Sequence, residues 1–263
     1  MTTLVTGASD GIGLELARLA AAHHDDVVLV ARRESRLRDL ARELERQHGI
    51  RAHVVPADLA RAGAASEVAS HVADLGIHVD HLINNAGFGI YGGFVETPLD
   101  IELQIIQVNI VALTELTKRL LPGMVARKRG RILNVASTAA FLPGPLMAVY
   151  YATKAYVLSF SEAIANELEG TDVTVTVLCP GPTASGFQAA ARLEESKLVA
   201  GRTLATSRGV AQDGYHAMLA GKTLIVSGFS NKLVAQMPRL LPRRVVAKIV
   251  RGVQERRSSQ LSS

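Results

Sequence analysis

The chain has 263 residues, of which 48% are hydrophobic and 20% are charged, and it carries a net charge of +5. These proportions suit one large globular domain and exclude a disordered chain. The lack of tryptophan, the 4% aromatic content and the scatter of the basic residues argue against a nucleic-acid-binding protein. A single cysteine excludes an intrachain disulfide, and no apolar run of about 18 residues is present to span a bilayer. With no secretory signal ahead of the first strand, we expect a soluble cytoplasmic protein.

Short apolar runs alternate along the chain with longer segments whose apolar residues recur at helical spacing. The runs that we predict to be strands are Thr3–Thr6, Val27–Ala31, Ala52–Pro56, His81–Asn84, Arg131–Val135, Val173–Cys179 and Thr223–Ser227. This alternation predicts an α/β fold with a parallel sheet flanked by helices, and strands that are apolar throughout fit burial of both sheet faces. We predict one catalytic domain over residues 1–228, continued by a helical extension over residues 229–263.

The first strand leads directly into the glycine-rich sequence TGASDGIG at residues 6–13, and then into a helix. Glycines allow a tight turn and a close approach of the backbone to a pyrophosphate, which the helix N-terminus then faces. A turn that merely caps a helix is the alternative, but the position between first strand and first helix favours a dinucleotide-binding loop. The loop residues expected to contact the cofactor are Gly7, Ser9, Asp10, Gly11, Ile12 and Gly13.

The second strand ends in Ala31, followed by Arg32 and Arg33, where an NAD site usually has an acidic residue for the ribose 2′-hydroxyl. An acidic side chain would repel a 2′-phosphate, whereas an arginine forms charge-assisted hydrogen bonds with it. The two arginines therefore favour NADP(H) over NAD(H), unless they only begin a solvated basic helix.

Polar residues also follow the third and fourth strands. Asp58 can accept a hydrogen bond from the adenine amino group, or it can cap the next helix, and its position does not decide between the two. After the fourth strand, Asn85, Ala86 and Gly87 combine an amide that can hold loop backbone with small residues that allow close approach of a cofactor. A simple turn is the alternative there.

The stretch from Ser137 to Lys154 carries the groups best suited to proton transfer. Ser137 ends the fifth strand, so its hydroxyl can hold a carbonyl oxygen in a pocket. Tyr150 and Lys154 are four residues apart, about one helical turn, and therefore share a helix face. Because an ammonium beside a phenol favours the phenolate, we expect Lys154 to lower the tyrosine pKa for general acid–base catalysis. Chance and helix packing also produce this spacing, so the interpretation depends on the rest of the site.

The motifs TGASDGIG, NNAG, Asn109 in a mid-chain helix, Ser137, YYATK and Pro180–Gly181 together resemble the short-chain dehydrogenase/reductase family from Thr3 to Thr223. The resemblance implies a Rossmann-type, doubly wound sheet of seven parallel strands and a nicotinamide cofactor. It also implies a tetrad in which Asn109 anchors a relay water, Ser137 orients the carbonyl, Tyr150 donates the proton and Lys154 holds the nicotinamide ribose. Beyond the glycine loop, the expected cofactor contacts are Arg32, Arg33, Asp58, Leu59, Asn85, Ala86, Gly87, Tyr150, Lys154, Pro180, Gly181, Thr183 and Ser185.

Two positions depart from the family pattern. NADP-preferring members often have a basic residue where this chain has Asp10, which weakens the case for NADP(H). The Pro–Gly pair is usually followed by an aliphatic residue and, two positions later, a threonine, where this chain has Thr183 and Ser185. The hydroxyl of Ser185 is expected to keep the contacts with the nicotinamide amide. The eight histidines show no metal-ligand spacing, and we expect no metal site.

These features predict an NAD(P)-dependent oxidoreductase that interconverts a ketone or aldehyde and an alcohol. The residues expected to border its pocket suggest a lipophilic substrate and are Phe88, Leu142, Pro143, Leu146, Met147 and Phe187. A substrate lid is expected at about residues 186–207. The alternative is a catalytically silent nucleotide-sensing or membrane-surface scaffold of the same fold. The resemblance further implies a homodimer or homotetramer, formed by the helices that hold Asn109 and Tyr150, with exposed residues Leu103, Ile106, Val157 and Phe160.

The C-terminal extension combines apolar and basic residues, and Pro238 and Pro242 divide it into two pieces. The apolar residues recur at helical spacing and are Leu240, Leu241, Val245, Val246, Ile249, Val250 and Val253. The basic residues are Arg239, Arg243, Arg244, Lys248, Arg251, Arg256 and Arg257. A basic amphipathic helix can lie on an anionic membrane surface. Alternatively, the apolar stripe packs over the substrate pocket or a neighbouring subunit, with the basic residues in water.

Overall fold

The computed structural model of the protein describes residues 1–187, 191 and 204–255. The strands are β1 (Thr2–Thr6), β2 (Asp26–Ala31), β3 (Ala52–Pro56), β4 (His81–Asn84), β5 (Gly130–Val135), β6 (Val173–Cys179), β7 (Thr183–Ala184), β8 (Ala205–Thr206) and β9 (Leu224–Val226). Seven of them form one parallel sheet in the order β3-β2-β1-β4-β5-β6-β9, and β7 pairs separately with β8. The predicted seven-stranded α/β sheet is confirmed, and the predicted strand bounds differ from the observed ones by at most one residue at either end.

Helices cover both faces of this sheet. Those of the described segments are α1 (Gly11–Ala22), α2 (Glu34–His48), α3 (Ala64–Asp74), α4 (Leu99–Ile106), α5 (Leu113–Ala126), α6 (Ala148–Glu167), α7 (Ser207–Leu219), α8 (Phe229–Leu240) and α9 (Arg243–Gln254). A π-helical turn (Gln107–Ala112) joins α4 to α5, and a 3₁₀ turn (Thr138–Phe141) follows β5. Within these segments no helix is both long enough and apolar enough to cross a bilayer.

Two apolar cores, one on each side of the sheet, explain why the strands are apolar throughout. Successive strand residues point to opposite faces, so both faces need apolar side chains. Val5 and Leu29 pack in a cluster that includes buried residues of α1, α2 and α7. Their chain neighbours Leu4 and Val28 pack in a second cluster with buried residues of α3 and α5. The sheet is therefore buried on both sides, and its strand ends and loops are the parts left to form a site.

The strand order has a switch point beside β1. From β1 the sheet runs to β2 and β3 on one side, and to β4, β5, β6 and β9 on the other. The loops that follow β1 and β4 consequently diverge at the carboxyl edge and leave a crevice, where ligands bind in sheets of this kind. Residues 7–10 and 85–88 border that crevice, so the two sequence motifs lie together.

Val157 is fully buried, so the prediction that it lies on an exposed face of α6 is wrong. It packs in a cluster with Leu113, Leu158 and Val177. Apolar spacing alone does not distinguish a core-facing stripe from an interface-facing one, because both recur with the same period. Leu103 on α4 is 54% exposed, as expected of an exposed face. The predicted lid at about residues 186–207 falls largely outside the described residues.

Candidate active site

The glycine loop packs too closely for side chains at two of its positions. Gly7 has φ +69°, a left-handed conformation that favours glycine, and its N–H donates to the carbonyl of Val30 at 2.8 Å. A Cβ on Gly13 would lie 2.3 Å from the Gly7 carbonyl oxygen and 2.3 Å from the Asn85 amide nitrogen. The first turn of α1 therefore packs directly against the glycine loop, and the side-chain amide of Asn85 packs against both of them.

Thr6 joins the loops that follow β1 and β4. Its hydroxyl oxygen accepts hydrogen bonds from the backbone N–H groups of Asn85 and Ala86, each at 3.0 Å. The side chain of Asn85 donates in return to the carbonyl of Thr6 at 3.0 Å. Thr6 was not among the predicted site residues, although a hydroxyl at the end of β1, beside the glycine loop, was a signal that could have identified it.

Asp10 and Arg33 form an ion pair at one end of the crevice. One carboxylate oxygen of Asp10 accepts from the Gly11 N–H at 2.7 Å and so caps α1, while the other lies 3.3 Å from the Arg33 guanidinium. Arg33 also donates to the hydroxyl of Ser9 at 3.1 Å. The neighbouring Arg32 is exposed and makes no hydrogen bond or ion pair with any residue in the described part of the chain. Of the two arginines, Arg32 therefore has the free positive charge.

Asp58 caps a turn rather than a helix. Its carboxylate accepts from the Ala60 N–H at 3.1 Å, its backbone carbonyl accepts from the Arg61 N–H at 3.0 Å, and α3 begins only at Ala64. Asp58 and the buried Leu59 nevertheless line the cavity described below, so the capping contact leaves Asp58 at the wall where it was predicted.

Ser137, Tyr150 and Lys154 meet at the carboxyl ends of β5 and β6. The hydroxyl of Ser137 accepts from the Ala139 N–H at 3.1 Å, donates to the Pro180 carbonyl at 3.4 Å and lies close enough to the Tyr150 phenol to lower its pKa. The amine of Lys154 donates to the carbonyl of Val135 at 2.9 Å and lies 5.8 Å from the centre of the Tyr150 ring. The predicted spacing along α6 thus brings all three groups together.

Burial controls the protonation of this group. It raises the pKa of the Tyr150 phenol to about 12, and the nearby Ser137 hydroxyl acts in the opposite direction without cancelling it. Burial also lowers the pKa of the Lys154 ammonium to about 8. The expected lowering of the tyrosine pKa by Lys154 is therefore wrong for this structure. Desolvation of the phenol is the larger effect, and the Lys154 amine contacts a backbone carbonyl rather than the phenol oxygen.

Asn109 is buried in the π-helical turn and binds protein groups on two sides. Its side chain accepts from the Phe88 N–H at 3.1 Å, and it donates to the Phe88 carbonyl and to the Thr153 hydroxyl, each at 3.0 Å. A Cβ on Gly87 would lie 3.1 Å from the Asn109 amide oxygen and 3.2 Å from the Lys154 amine. Asn109 therefore fixes the loop after β4 against α6, and π-helical turns are frequent at functional sites.

These groups surround one cavity of about 730 Å³. Of the predicted site residues only Gly13 and Asn109 do not line it, because both lie behind the wall. Thr183 and Ser185 line the cavity, and the Ser185 hydroxyl donates to the Thr183 carbonyl at 3.3 Å.

Of the predicted pocket residues, Pro143 and Leu146 are absent from the wall. Leu146 has φ +68°, a left-handed conformation, and its carbonyl accepts from the Gly92 N–H at 2.9 Å. It is therefore part of a turn and not of the cavity wall.

The far wall of the cavity comes from the two C-terminal helices. Residues of this wall that were not predicted as site residues are Asn231, Val234, Met237, Ile249, Val250, Val253 and Gln254. Val246 and Val250 of α9 pack in one apolar cluster with Met147 and Tyr151. The alternative in which the apolar stripe of the tail packs over the pocket is therefore confirmed. Apolar residues at helical spacing were the signal, but they do not identify the surface that the helix covers.

The chain is similar in sequence to known oxidoreductases. The family model for short chain dehydrogenases matches residues 1–196. The ketoacyl reductase HetN of Nostoc sp. is 33% identical over 241 residues, 91% of this chain and 82% of HetN. The very-long-chain 3-oxoacyl-CoA reductase of Laccaria bicolor is 38% identical over 176 residues, 65% of this chain, and the aligned part spans only 52% of that protein.

Among solved structures, a short-chain dehydrogenase from Sphingobium yanoikuyae in complex with NADPH superposes with a TM-score of 0.81 at 27% identity, covering 100% of this chain and 98% of that one. The sheet order, the position of the glycine loop at the switch point, the family model and the similar proteins all indicate the same family. The chain belongs to the short-chain dehydrogenase/reductase family of oxidoreductases.

Proposed function

We propose that this protein interconverts a ketone or aldehyde and an alcohol with NADP(H) as the cofactor. The observation that carries the proposal is the meeting of the Ser137 hydroxyl, the Tyr150 phenol and the Lys154 amine in the cavity that the glycine loop also borders. A polarising hydroxyl, a proton donor and a cation next to a nucleotide-sized crevice are the groups that carbonyl reduction requires.

The crevice fits a dinucleotide. A Cβ on Gly7 would lie 2.7 Å from the Asn85 amide nitrogen, so the loop after β1 packs directly against the loop after β4, and Gly7, Gly11 and Gly87 present no side chain at the cavity wall. The N–H groups at the start of α1 would hold the pyrophosphate, Asp58 the adenine and Lys154 the nicotinamide ribose. Residues 180–185 would hold the nicotinamide amide. The nicotinamide, when bound, supplies or accepts the hydride.

The protein's own groups manage the oxygen and its proton. The Ser137 hydroxyl holds the substrate oxygen beside Tyr150, and the Tyr150 phenol, protonated at neutral pH, donates its proton to that oxygen during reduction. The positively charged form of Lys154 then stabilises the phenolate, and Tyr150 is reprotonated from water. In the oxidation direction the same groups act in reverse.

The preference for NADP(H) rests on Arg32. Its exposed guanidinium has no acidic neighbour in the described structure, whereas Arg33 is paired with Asp10. A 2′-phosphate would provide the anion that Arg32 lacks. The NADPH complex of the Sphingobium relative supports the same choice.

A lipophilic substrate is part of the proposal. Phe88, Leu142, Met147 and Phe187 line the cavity near Tyr150, and apolar residues of α8 and α9 close its far side. The names of the HetN and Laccaria relatives point in the same direction, towards carbonyls on acyl chains. We also propose a homodimer or homotetramer.

The direct test follows NADPH absorbance with a panel of aliphatic and cyclic ketones and aldehydes. We expect turnover that falls at least about 100-fold in Tyr150→Phe, which keeps the ring and removes the acid. Binding of NADPH should be unchanged in this variant. The matched control is Tyr156→Phe on the same helix, where the phenol contacts Thr114 instead of the cavity.

Two results would count against the proposal. Turnover of Tyr150→Phe at the wild-type rate would show that Tyr150 is not the acid. A wild-type protein that binds NADPH but reduces no carbonyl in the panel would favour the silent nucleotide sensor instead.

A further inference from the structure

The two C-terminal helices expose paired apolar side chains. Phe229 and Leu233, one turn apart on α8, are 78% and 62% exposed. Val245 and Ile249, one turn apart on α9, are each 41% exposed. Residues four apart lie on one helix face, so each helix presents an apolar ridge to solvent. Single exposed apolar residues are common on protein surfaces, but two ridges on adjoining helices indicate an interaction surface.

The cavity opens between these ridges. Val234 on α8 and Ile249 on α9 both line the cavity, and they are 38% and 41% exposed. Residues that face both the cavity and the solvent lie at a mouth. Val246 and Val250, about 100° around α9 from the ridge residues, are buried in the apolar cluster that α8 joins through Met237. The buried valines fix α9 against the molecule, and Ile249 lies at the border between the cavity and the exposed ridge.

The same two helices are strongly basic. Their exposed cationic residues are Lys232, Arg243, Arg244, Lys248 and Arg251. No acidic residue occurs between positions 229 and 254, and Glu255 lies 3.6 Å from Arg251. Apolar ridges between cationic side chains are the composition of surfaces that bind anionic lipid. A second copy in a twofold contact would instead bring these cations against the same cations of its partner.

We propose that α8 and α9 dock on an anionic lipid bilayer, with the four apolar side chains in the headgroup region and the basic residues on lipid phosphates. Docking in this orientation places the mouth of the cavity at the bilayer surface. A lipophilic substrate then enters the cavity from the lipid without crossing water. The entry route rests on the proposed oxidoreductase function, whereas the docking does not.

Vesicle flotation of the full chain tests the docking without catalysis. Vesicles of phosphatidylcholine alone are compared with vesicles that also contain phosphatidylserine, at low and at near-physiological ionic strength. We expect binding only to the anionic vesicles, weakened by salt. Arg244→Glu with Lys248→Glu should weaken it at least about tenfold. The matched control, Arg36→Glu with Arg46→Glu on α2, makes the same change in net charge at exposed positions of another helix and should leave binding within about twofold.

A second pair of variants tests the ridges. Phe229→Gln with Leu233→Gln should weaken flotation, whereas Leu75→Gln with Val125→Gln, at exposed apolar positions on another part of the surface, should not. Unchanged NADPH binding and thermal melting show that each variant is folded. Three results would overturn the proposal. The wild-type protein does not bind anionic vesicles at low ionic strength, or the charge reversals on α9 and on α2 weaken vesicle binding equally. The third is a Phe229→Gln with Leu233→Gln variant that changes the mass of the oligomer and leaves vesicle binding unchanged. A protein that floats normally but reduces no carbonyl refutes the proposed function and leaves the docking intact.

Discussion

Tyr150 and Lys154 are both buried, and burial favours the neutral form of each. The phenol therefore keeps its proton until about pH 12, and the lysine loses its proton near pH 8. At pH 7 the pair consists of a neutral acid and a lysine whose charged form is favoured about tenfold over its neutral form. This combination suits proton donation to a carbonyl oxygen, because the cation is present when the phenolate forms.

The lowered pKa of Lys154 predicts a pH dependence of stability. Its folded pKa is about 8 and its ordinary value is 10.5, so the unfolded chain binds more protons between these values and stability rises with pH across this window. Between about pH 7.5 and pH 9.5 the gain should be roughly 2 kcal/mol. Urea unfolding should show this gain in the wild type and a smaller one in Lys154→Met. An equal gain in both proteins would contradict the assignment.

Arg32 and Arg33 differ in their partners, and this difference predicts unequal effects on cofactor affinity. Arg32→Ala should weaken NADPH binding at least about tenfold and leave NADH binding nearly unchanged, because only NADPH carries the 2′-phosphate. Arg33→Ala should have a smaller effect, since its guanidinium is shared with Asp10. Dissociation constants from nicotinamide fluorescence give the comparison, with Arg36→Ala as the control. Equal wild-type affinities for the two cofactors would refute the NADP(H) preference.

At the scale of elements, the crevice is shaped by contacts between loops that lie far apart in the sequence. Thr6 at the end of β1 accepts two N–H groups from the loop after β4, and Asn109 attaches that same loop to α6. Neither contact adds a group that touches the reacting atoms. Together they fix the spacing between the nucleotide end and the tyrosine end of the cavity.

Thr6→Val tests this link between loops. Valine has nearly the same shape but leaves the N–H groups of Asn85 and Ala86 without their acceptor, which should cost about 1–3 kcal/mol in unfolding free energy. NADPH affinity should fall in parallel because the crevice loosens. Thr2→Val on the same strand is the matched control. Wild-type stability in Thr6→Val would show that the link is dispensable.

The features that the sequence predicted well depend on residues that are close together in the chain. Strands buried on both faces appear in the sequence as unbroken apolar runs, and the meeting of Ser137, Tyr150 and Lys154 at one cavity follows from a strand end and a helical turn. The contacts that were missed depend on tertiary structure. The pairing of Asp10 with Arg33 joins two loops, the exposure of Val157 depends on what α6 packs against, and the pKa of Tyr150 depends on how deeply α6 buries it. The residue-1–228 domain boundary and the cytoplasmic location stay predictions.

At the scale of the whole molecule, an apolar strip outside the cavity lies where the proposed subunit contact would form. Leu99 and Leu103 on α4 and Val111 in the π-helical turn are exposed. We expect static light scattering to give two or four times the chain mass of 28.0 kDa. Leu103→Glu should shift the protein towards the monomer, whereas Leu75→Glu on another surface should not. A wild-type mass of one chain at micromolar concentration would exclude the oligomer.

The apolar wall to which Ile249 and Val250 contribute has a consequence for the order in which the protein is made. A ribosome releases the strands of the sheet and the Ser137–Lys154 stretch before α9, because α9 follows all of them in the chain. The loops that border the nucleotide crevice therefore leave the ribosome before the α9 wall of the cavity does. We expect a nascent chain paused before α9 to lack part of the apolar wall of the cavity, so comparing it with the full chain separates affinity for the nucleotide from selectivity for the substrate.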